Sequence, residues 1–308
     1  MRIVFMGVPG FALPALDSLV SGGYRVVAVY VTPDKPAGRG QEGSITPVKR
    51  RALHIGLDVH QVATFKNDEA VVDLRRLAPD IIVVAAFGLI LPPSVLEMPP
   101  YGCLNLHPSL LPRYRGPTPI PAAIIDGVEE TGSSIMLMTE GIDCGPVLAQ
   151  RAFPIAPADT TKSLTDKLAH VSADLLMETL PRWVACSIAP RPQRDEDATY
   201  TKMIDKSDGE IDWRLSAPEL WRRVRAYYPW PVCYSSWRGR RIRIIEAMPI
   251  DGGGEPGLVV ELERGGVGVC AGDGVLGLLR VQLEGKREMA SSEFIRGQRD
   301  FVGSVLPC

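Results

Sequence analysis

Asn105 and His107 stand two residues apart in Cys103-Leu104-Asn105-Leu106-His107, a stretch that alternates polar residues with apolar or small ones. Such alternation reads as a strand, and side chains two apart on a strand leave the same face. An amide donor and an imidazole over one spot can hold a developing oxyanion and move a proton. Asp143 offers a carboxylate to complete the set. It lies in Gly141-Ile142-Asp143-Cys144-Gly145-Pro146, an acid on a turn shaped by two glycines. Each residue also has a plainer reading: a hydrogen-bonded strand histidine, and a solvated turn aspartate. The proline-bearing loop after His107, Pro108-Ser109-Leu110-Leu111-Pro112-Arg113-Tyr114-Arg115-Gly116, favours the chemical reading. A thiol hydrolase using Cys144 with His107 and Asn105 is a second option, but it leaves Asp143 without a role.

The elements around these residues predict where they sit. Ile3-Val4-Phe5, Val26–Val31 and Ile81–Ala86 are near-continuous apolar runs rich in β-branched residues, as in parallel strands covered on both faces. Leu13, Leu16, Leu19 and Val20 recur at helical spacing and stop at Gly22-Gly23. The pattern predicts an α/β domain over residues 1–185, doubly wound and Rossmann-like around a parallel sheet. Its last helix is expected from about Ser163 to Leu180, with Leu164, Leu168, Val171 and Leu175 on one face. Ligands of such sheets bind beyond the carboxyl ends of strands, where the Asn105–His107 strand stops. Gly7-Val8-Pro9-Gly10 lacks both common phosphate-loop patterns and reads as a tight strand-to-helix turn.

Residues 186–203, with Pro190, Pro192 and a mixed-charge run, read as a linker. Residues 204–308 read as a β-rich second domain. Ser216-Ala217-Pro218-Glu219 has capping-box spacing for a helix start. Short β-like runs follow around Val232–Trp237, Ile242–Ala247, Leu258–Leu262, Val267–Cys270 and Leu276–Val281. Five such strands between glycine-rich turns point to a small barrel or sandwich, with an OB-like β-barrel as the expectation. Leu220–Ile245 holds Arg222, Arg223, Arg225, Arg238, Arg240, Arg241 and Arg243 without a single acid. Trp221, Tyr227, Tyr228, Trp230, Tyr234 and Trp237 are interleaved with them. Basic groups anchor phosphates and aromatic rings stack on bases. We expect Trp221 and Trp230 mainly in the core, and the arginines facing a nucleic acid.

With 308 residues the chain is long enough for two domains with cores that need neither disulfides nor metals. A net charge of −2 excludes a uniformly basic coat. The six cysteines are scattered singly, which is neither a disulfide framework nor zinc spacing, so reduced thiols are expected. No apolar run reaches the roughly 18 residues of a membrane span. Met1 leads directly into a strand, without signal-peptide character. These features predict a cytoplasmic protein, without membrane or metal, acting as a monomer.

Asn105-x-His107-x-Ser109-Leu110-Leu111-Pro112, followed by Gly141-x-Asp143-x-Gly145, resembles the folate-dependent formyltransferase superfamily. Ala86–Pro92 is similar to the segment that flanks the pterin pocket there. Pro36-Ala37-Gly38-Arg39-Gly40 resembles the acceptor-stem loop of the members that formylate a tRNA, and Asp208–Trp213 and Arg225–Pro231 resemble their second domain. The resemblance covers almost the whole chain. It implies 10-formyltetrahydrofolate as donor substrate, held by Phe87, Gly88, Leu89 and Ile90 with Ser109, Leu110, Leu111 and Pro112. It implies methionyl initiator tRNA as acceptor, contacted by Arg39, Arg222, Arg223, Arg238, Arg240 and Arg241. Asn105 and His107 would then stabilise the oxyanion, while Asp143 orients His107 and relays the proton of the attacking amine.

The match is not complete. Cys144 stands where a threonine is usual, and Gln41 and Glu42 stand where lysines are common, which weakens the positive field of the Arg39 loop. A branch acting on amino sugar nucleotides shares the catalytic set, but would not need the Arg39 loop or the basic-aromatic segment. The single-domain members acting on glycinamide lack a counterpart to residues 200–308. A tRNA-binding module with an inactive α/β domain would not need all three polar residues.

Overall fold

The β-branched runs form the centre of a seven-stranded sheet in the computed structural model, which describes residues 1–36 and 43–307. Its strands are β1 (Arg2–Gly7), β2 (Arg25–Val31), β5 (Val59–Gln61), β6 (Ile81–Ala85), β7 (Cys103–His107), β8 (Glu130–Leu137) and β9 (Val147–Pro154). Between β2 and β5 lies the short ribbon β3 (Lys35–Pro36) and β4 (Gly43–Ser44). The sheet runs β5-β2-β1-β6-β7-β8-β9. The first five strands are mutually parallel. The last two are antiparallel, an edge that apolar patterning does not reveal. In β8 the buried positions include Ser133 and Ser134, which are satisfied by hydrogen bonds to Ser172 Oγ (2.7 Å) and to Ser109 O (2.6 Å).

Helices α1 (Leu13–Ser21), α2 (Pro47–His54), α3 (Asp68–Arg76), α4 (Pro93–Leu96), α5 (Pro119–Asp126) and α6 (Thr161–Val184) connect or follow these strands. Gly22 is the C-cap of α1, and Gly23 takes the left-handed conformation at φ +77°, as the glycine pair predicts. The Gly7–Gly10 segment makes a turn into a single 3-10 turn at Gly10–Ala12. Residues Met1–Pro119, Glu130–Pro154 and Thr165–Thr201 form one compact unit. The stretch read from the sequence as a linker contributes residues up to Thr201 to that unit. Arg115 N donates to Thr199 O at 2.8 Å and Thr201 N to Arg115 O at 2.8 Å, while Arg191 and Val147 exchange both backbone bonds.

The second unit holds Ile120–Glu129, Ile155–Leu164 and Lys202–Cys308. It carries α7 (Ala217–Ala226), β10 (Cys233–Trp237), β11 (Arg240–Ile250), β12 (Val259–Leu262), β13 (Gly266–Cys270), β14 (Val275–Leu283), β15 (Met289–Ala290) and α8 (Ser291–Gly297). The antiparallel order β10-β11-β14-β13-β12, with β15 on β14, is barrel-like. Its core gathers Trp213, Trp237, Phe294 and Phe301. Trp237 meets Phe301 edge-on at 5.3 Å and 90°, an arrangement favoured by the ring quadrupoles.

The capping box at the head of α7 is formed as the sequence predicts. Ser216 N donates to Glu219 Oε2 at 2.9 Å, and Glu219 N to Ser216 Oγ at 3.4 Å. The hydrogen bonds from Ser216 hold the Glu219 carboxyl below its usual range. A depressed folded-state value stabilises above the unfolded pKa and is lost as pH falls through the folded one. Ser216→Ala should therefore cost about 1 kcal/mol in a urea titration at pH 7. The penalty should shrink as pH falls below the ordinary glutamate value of about 4.3 and through the lower folded-state one, beyond which Glu219 is neutral in either state.

Candidate active site

β7 brings Asn105 and His107 to one side near its carboxyl end, while Leu104 and Leu106 are buried on the other. Its neighbours are β6, with Asn105 opposite Val84, and β8, with His107 opposite Ser134. The Asp143 turn reaches the same place. Asn105 Nδ2 donates to Asp143 Oδ1 at 3.3 Å, and Gly116 N donates to Asp143 Oδ2 at 2.9 Å. The same Oδ2 lies 3.5 Å from His107 Nδ1. His107 Nε2 faces the carbonyl oxygen of Tyr114 at 2.9 Å. A carbonyl can only accept, so Nε2 carries the hydrogen and Nδ1 is the nitrogen left to take up a proton. The three residues selected from the sequence therefore meet in one place, Asn105 hydrogen-bonded to Asp143 and His107 facing it, with His107 4% exposed and Asp143 half-buried.

The backbone of the turn explains this aim. Asp143 adopts φ +50°, a left-handed conformation uncommon for a residue with a side chain. Gly145 is packed so closely that a Cβ there would lie 1.9 Å from Leu137 O. Gln193 Nε2 donates to both Asp143 O (2.8 Å) and Gly145 O (2.7 Å). Its Oε1 accepts from Arg115 Nε at 3.0 Å. Arg115, 1% exposed, also donates to Tyr200 OH and Asp195 Oδ1, each at 2.9 Å. Burial opposes its charge, but the hydrogen bonds and charges of Asp195 and Tyr200 outweigh that and raise its pKa. Neither Gln193 nor Arg115 was a sequence candidate, because each acts through backbone or through residues far away in the chain.

Cys144 does not join the cluster. Its Sγ donates to Glu140 O at 3.3 Å within its own turn, while both His107 ring nitrogens face other groups. Nothing in this geometry makes Cys144 a nucleophile.

The residues expected to hold the donor divide by exposure. Phe87 is buried in the core, 6.4 Å from Phe65, and Leu111 packs with Met136 and Val147. Gly88 is open at φ +80°, Leu89 is half-buried, and Ile90 is 88% exposed, an apolar side chain left to solvent. The loop after β7 is tied down from below. Ser109 Oγ donates to Arg113 O at 2.7 Å, Leu111 N to Ser134 Oγ at 3.1 Å, and Gln150 Nε2 to Leu111 O at 2.8 Å. Leu110 and Pro112 are half-buried on this loop. Among the described residues no group of three His, Cys, Asp or Glu could hold a metal. Within the same limit no helix is long and apolar enough to cross a membrane.

In the second unit Arg238, Arg240, Arg241 and Arg243 are exposed in or beside β11, and Arg222 and Arg223 are half-buried on α7. Segments distant in sequence tie the patch down, one of them through an ion pair with an acid. Arg238 pairs with Asp300 at 2.5 Å, Arg240 donates to Glu284 O, and the Arg241 backbone donates to Glu284 Oε2 at 3.2 Å. Arg241 stacks over Tyr234 at 4.2 Å and Arg225 over Trp221 at 3.9 Å. Trp221 is half-buried against the core, as expected, but Trp230 is 51% exposed. Trp230 sits between Pro229 and Pro231, outside α7 and β10, where no helix or strand carries it inward. Arg39 lies outside the described residues.

The formyl transferase family model matches residues 1–180, and that of the formyl transferase C-terminal domain matches residues 203–299. A methionyl-tRNA formyltransferase of Dehalococcoides mccartyi is 46% identical over 308 residues, covering 99% of this chain and 98% of that one. Its namesake in Chloroflexus aggregans is 46% identical over 300 residues, covering 96% and 97%. Among solved structures, an N-formyltransferase from Helicobacter canadensis in complex with folinic acid and dTDP-3-aminofucose has a TM-score of 0.68 at 17% identity, covering 94% of this chain and 100% of that one. HypX from Aquifex aeolicus in complex with tetrahydrofolic acid has a TM-score of 0.66 at 20% identity, covering 99% and 48%. The two structures share the fold. The domain models and the full-length relatives go further: the chain belongs to the formyl transferase family, in the branch of relatives named methionyl-tRNA formyltransferase.

Proposed function

We propose that the protein transfers the formyl group of 10-formyltetrahydrofolate to the α-amine of methionyl initiator tRNA, giving N-formylmethionyl-tRNA and tetrahydrofolate for translation initiation. The observation that carries this reading is the 46% identity to a methionyl-tRNA formyltransferase over 99% of the chain. The site supplies a mechanism to match. The free α-amine, with a pKa of about 7.7–8.0, attacks the formyl carbon in its neutral form. One N–H of Asn105 Nδ2 is directed to Asp143, and the other is left to receive the oxyanion. His107 Nδ1 takes the proton of the attacking amine, and the imidazolium so formed is stabilised by Asp143 Oδ2. The same proton passes to N10 of the folate as the C–N10 bond breaks. No covalent enzyme intermediate is needed.

Leu89, Ile90 and the Ser109–Pro112 backbone would hold the pterin, with Phe87 and Gly88 shaping the segment from behind. The outward arginines 238, 240 and 241, with 222, 223 and 39, would contact the tRNA backbone, in a monomer working in the cytoplasm. The test is an assay of the purified chain with formyltetrahydrofolate and either methionyl initiator tRNA or an amino sugar nucleotide. Formylation of the tRNA alone is expected; formylation of the sugar alone would overturn the choice of acceptor. In the same assay Cys144→Ser should keep full turnover.

A further inference from the structure

We infer that Gln193 is a positioning residue of the active site, setting the Asp143 carboxylate through the backbone of its turn. Gln193 lies outside both family-model matches, which end at residue 180 and resume at residue 203. The inference rests on the catalytic reading of Asp143 given above.

The geometry makes the amide of Gln193 a clamp. Its two N–H groups are directed to Asp143 O and Gly145 O, the carbonyls on either side of Cys144. Holding both fixes the chain at the left-handed residue and for the two residues after it, and so constrains where the Asp143 side chain points. That direction decides whether Oδ1 reaches Asn105 and Oδ2 reaches Gly116 N and His107. Gln193 is itself oriented. An amide offers one acceptor and two donors, and Arg115 Nε occupies the acceptor. With Oε1 turned to a guanidinium, Nε2 must face the turn. Arg115 is held in its turn by Asp195 and Tyr200, and by backbone bonds to Thr199 and Thr201. Segment 193–201 thus serves as the rear wall of the site.

The discriminating variant is Gln193→Glu. Its carboxylate keeps the shape and strengthens the pairing with Arg115, but it cannot donate to the two carbonyls. If Gln193 merely covered Arg115, this variant would be as good as the parent. A clamp instead predicts a fall in kcat of about 10- to 100-fold, the scale of a misplaced catalytic group. KM for tRNA and for formyltetrahydrofolate should stay within about twofold, because the Gln193 amide is already engaged by Arg115, Asp143 and Gly145. The Gln193→Glu change is then repeated on Asp143→Ala, in single turnovers of the full-length chain. A residue that acts only through Asp143 should cost nothing further there. Thermal melting checks that each variant is folded, and Gln193→Leu repeats the test without a charge. Unchanged kcat in Gln193→Glu overturns the inference, as does the same fold-loss in the Asp143→Ala background. If Asp143→Ala itself turns over like the parent, the catalytic reading of Asp143 has failed, and the clamp with it.

Discussion

Asp143→Ala should lower turnover by about 10²–10³, the loss typical of removing one preorganised group from a site of this kind. The expected size follows from how many tasks meet on one carboxylate. Asp143 accepts from Asn105 and from Gly116 N, and faces His107 Nδ1, the proposed proton acceptor. On the proposed mechanism, removing it frees the amide that receives the oxyanion and leaves the imidazolium without a counter-charge. Asp143→Asn separates shape from charge, since it fills the same space. It should be nearly as slow, because an amide NH2 facing His107 Nδ1 would hydrogen-bond the proton acceptor itself. Filter binding should show methionyl initiator tRNA held by both variants with little change. Turnover within a factor of three of the parent in Asp143→Ala would remove Asp143 from the mechanism.

Trp213→Ala should cost about 3–5 kcal/mol of stability, the range for emptying a fully buried Trp or Phe site. Trp213 is 0% exposed, lies in the second unit's core, and directs its indole Nε1–H to Ser235 Oγ at 3.4 Å. The change removes packing and leaves that hydroxyl short of a partner. Calorimetry should show an early transition belonging to residues 202–308. Trp230→Ala, at a half-exposed position, should fall within about 0.5 kcal/mol of the parent. If the two substitutions cost the same, the core assignment fails.

Much of this was legible in the residues themselves. The parallel strands could be read because Ile3–Phe5, Val26–Val31 and Ile81–Ala85 are apolar throughout. The meeting of Asn105, His107 and Asp143 could be read because Asn105 and His107 share a strand and Asp143 sits between glycines. β8 escaped notice because its buried Thr131, Ser133 and Ser134 look polar to any hydrophobic pattern. The pairing of Arg238 with Asp300, and the bond from the Arg241 backbone to Glu284, were invisible because both acids arrive from other parts of the chain. Gln193 could not be found at all from sequence, since its amide bonds backbone carbonyls, which have no sequence signature.

The way segment 193–201 wraps Arg115 bears on how such enzymes can be recombined. The composition break near Pro190 invites a junction at residue 185, with the second domain exchanged as a cassette. A graft made there would import a foreign Gln193, Asp195, Thr199 and Tyr200 together with the new domain, and the recipient's Arg115 would meet partners selected for another loop. The last crossing of the chain between the two units lies after Thr201, the second unit also taking in Ile120–Glu129 and Ile155–Leu164. Chimeras joined there should inherit a working catalytic centre, and those joined at 185 should be slow whatever acceptor they bind.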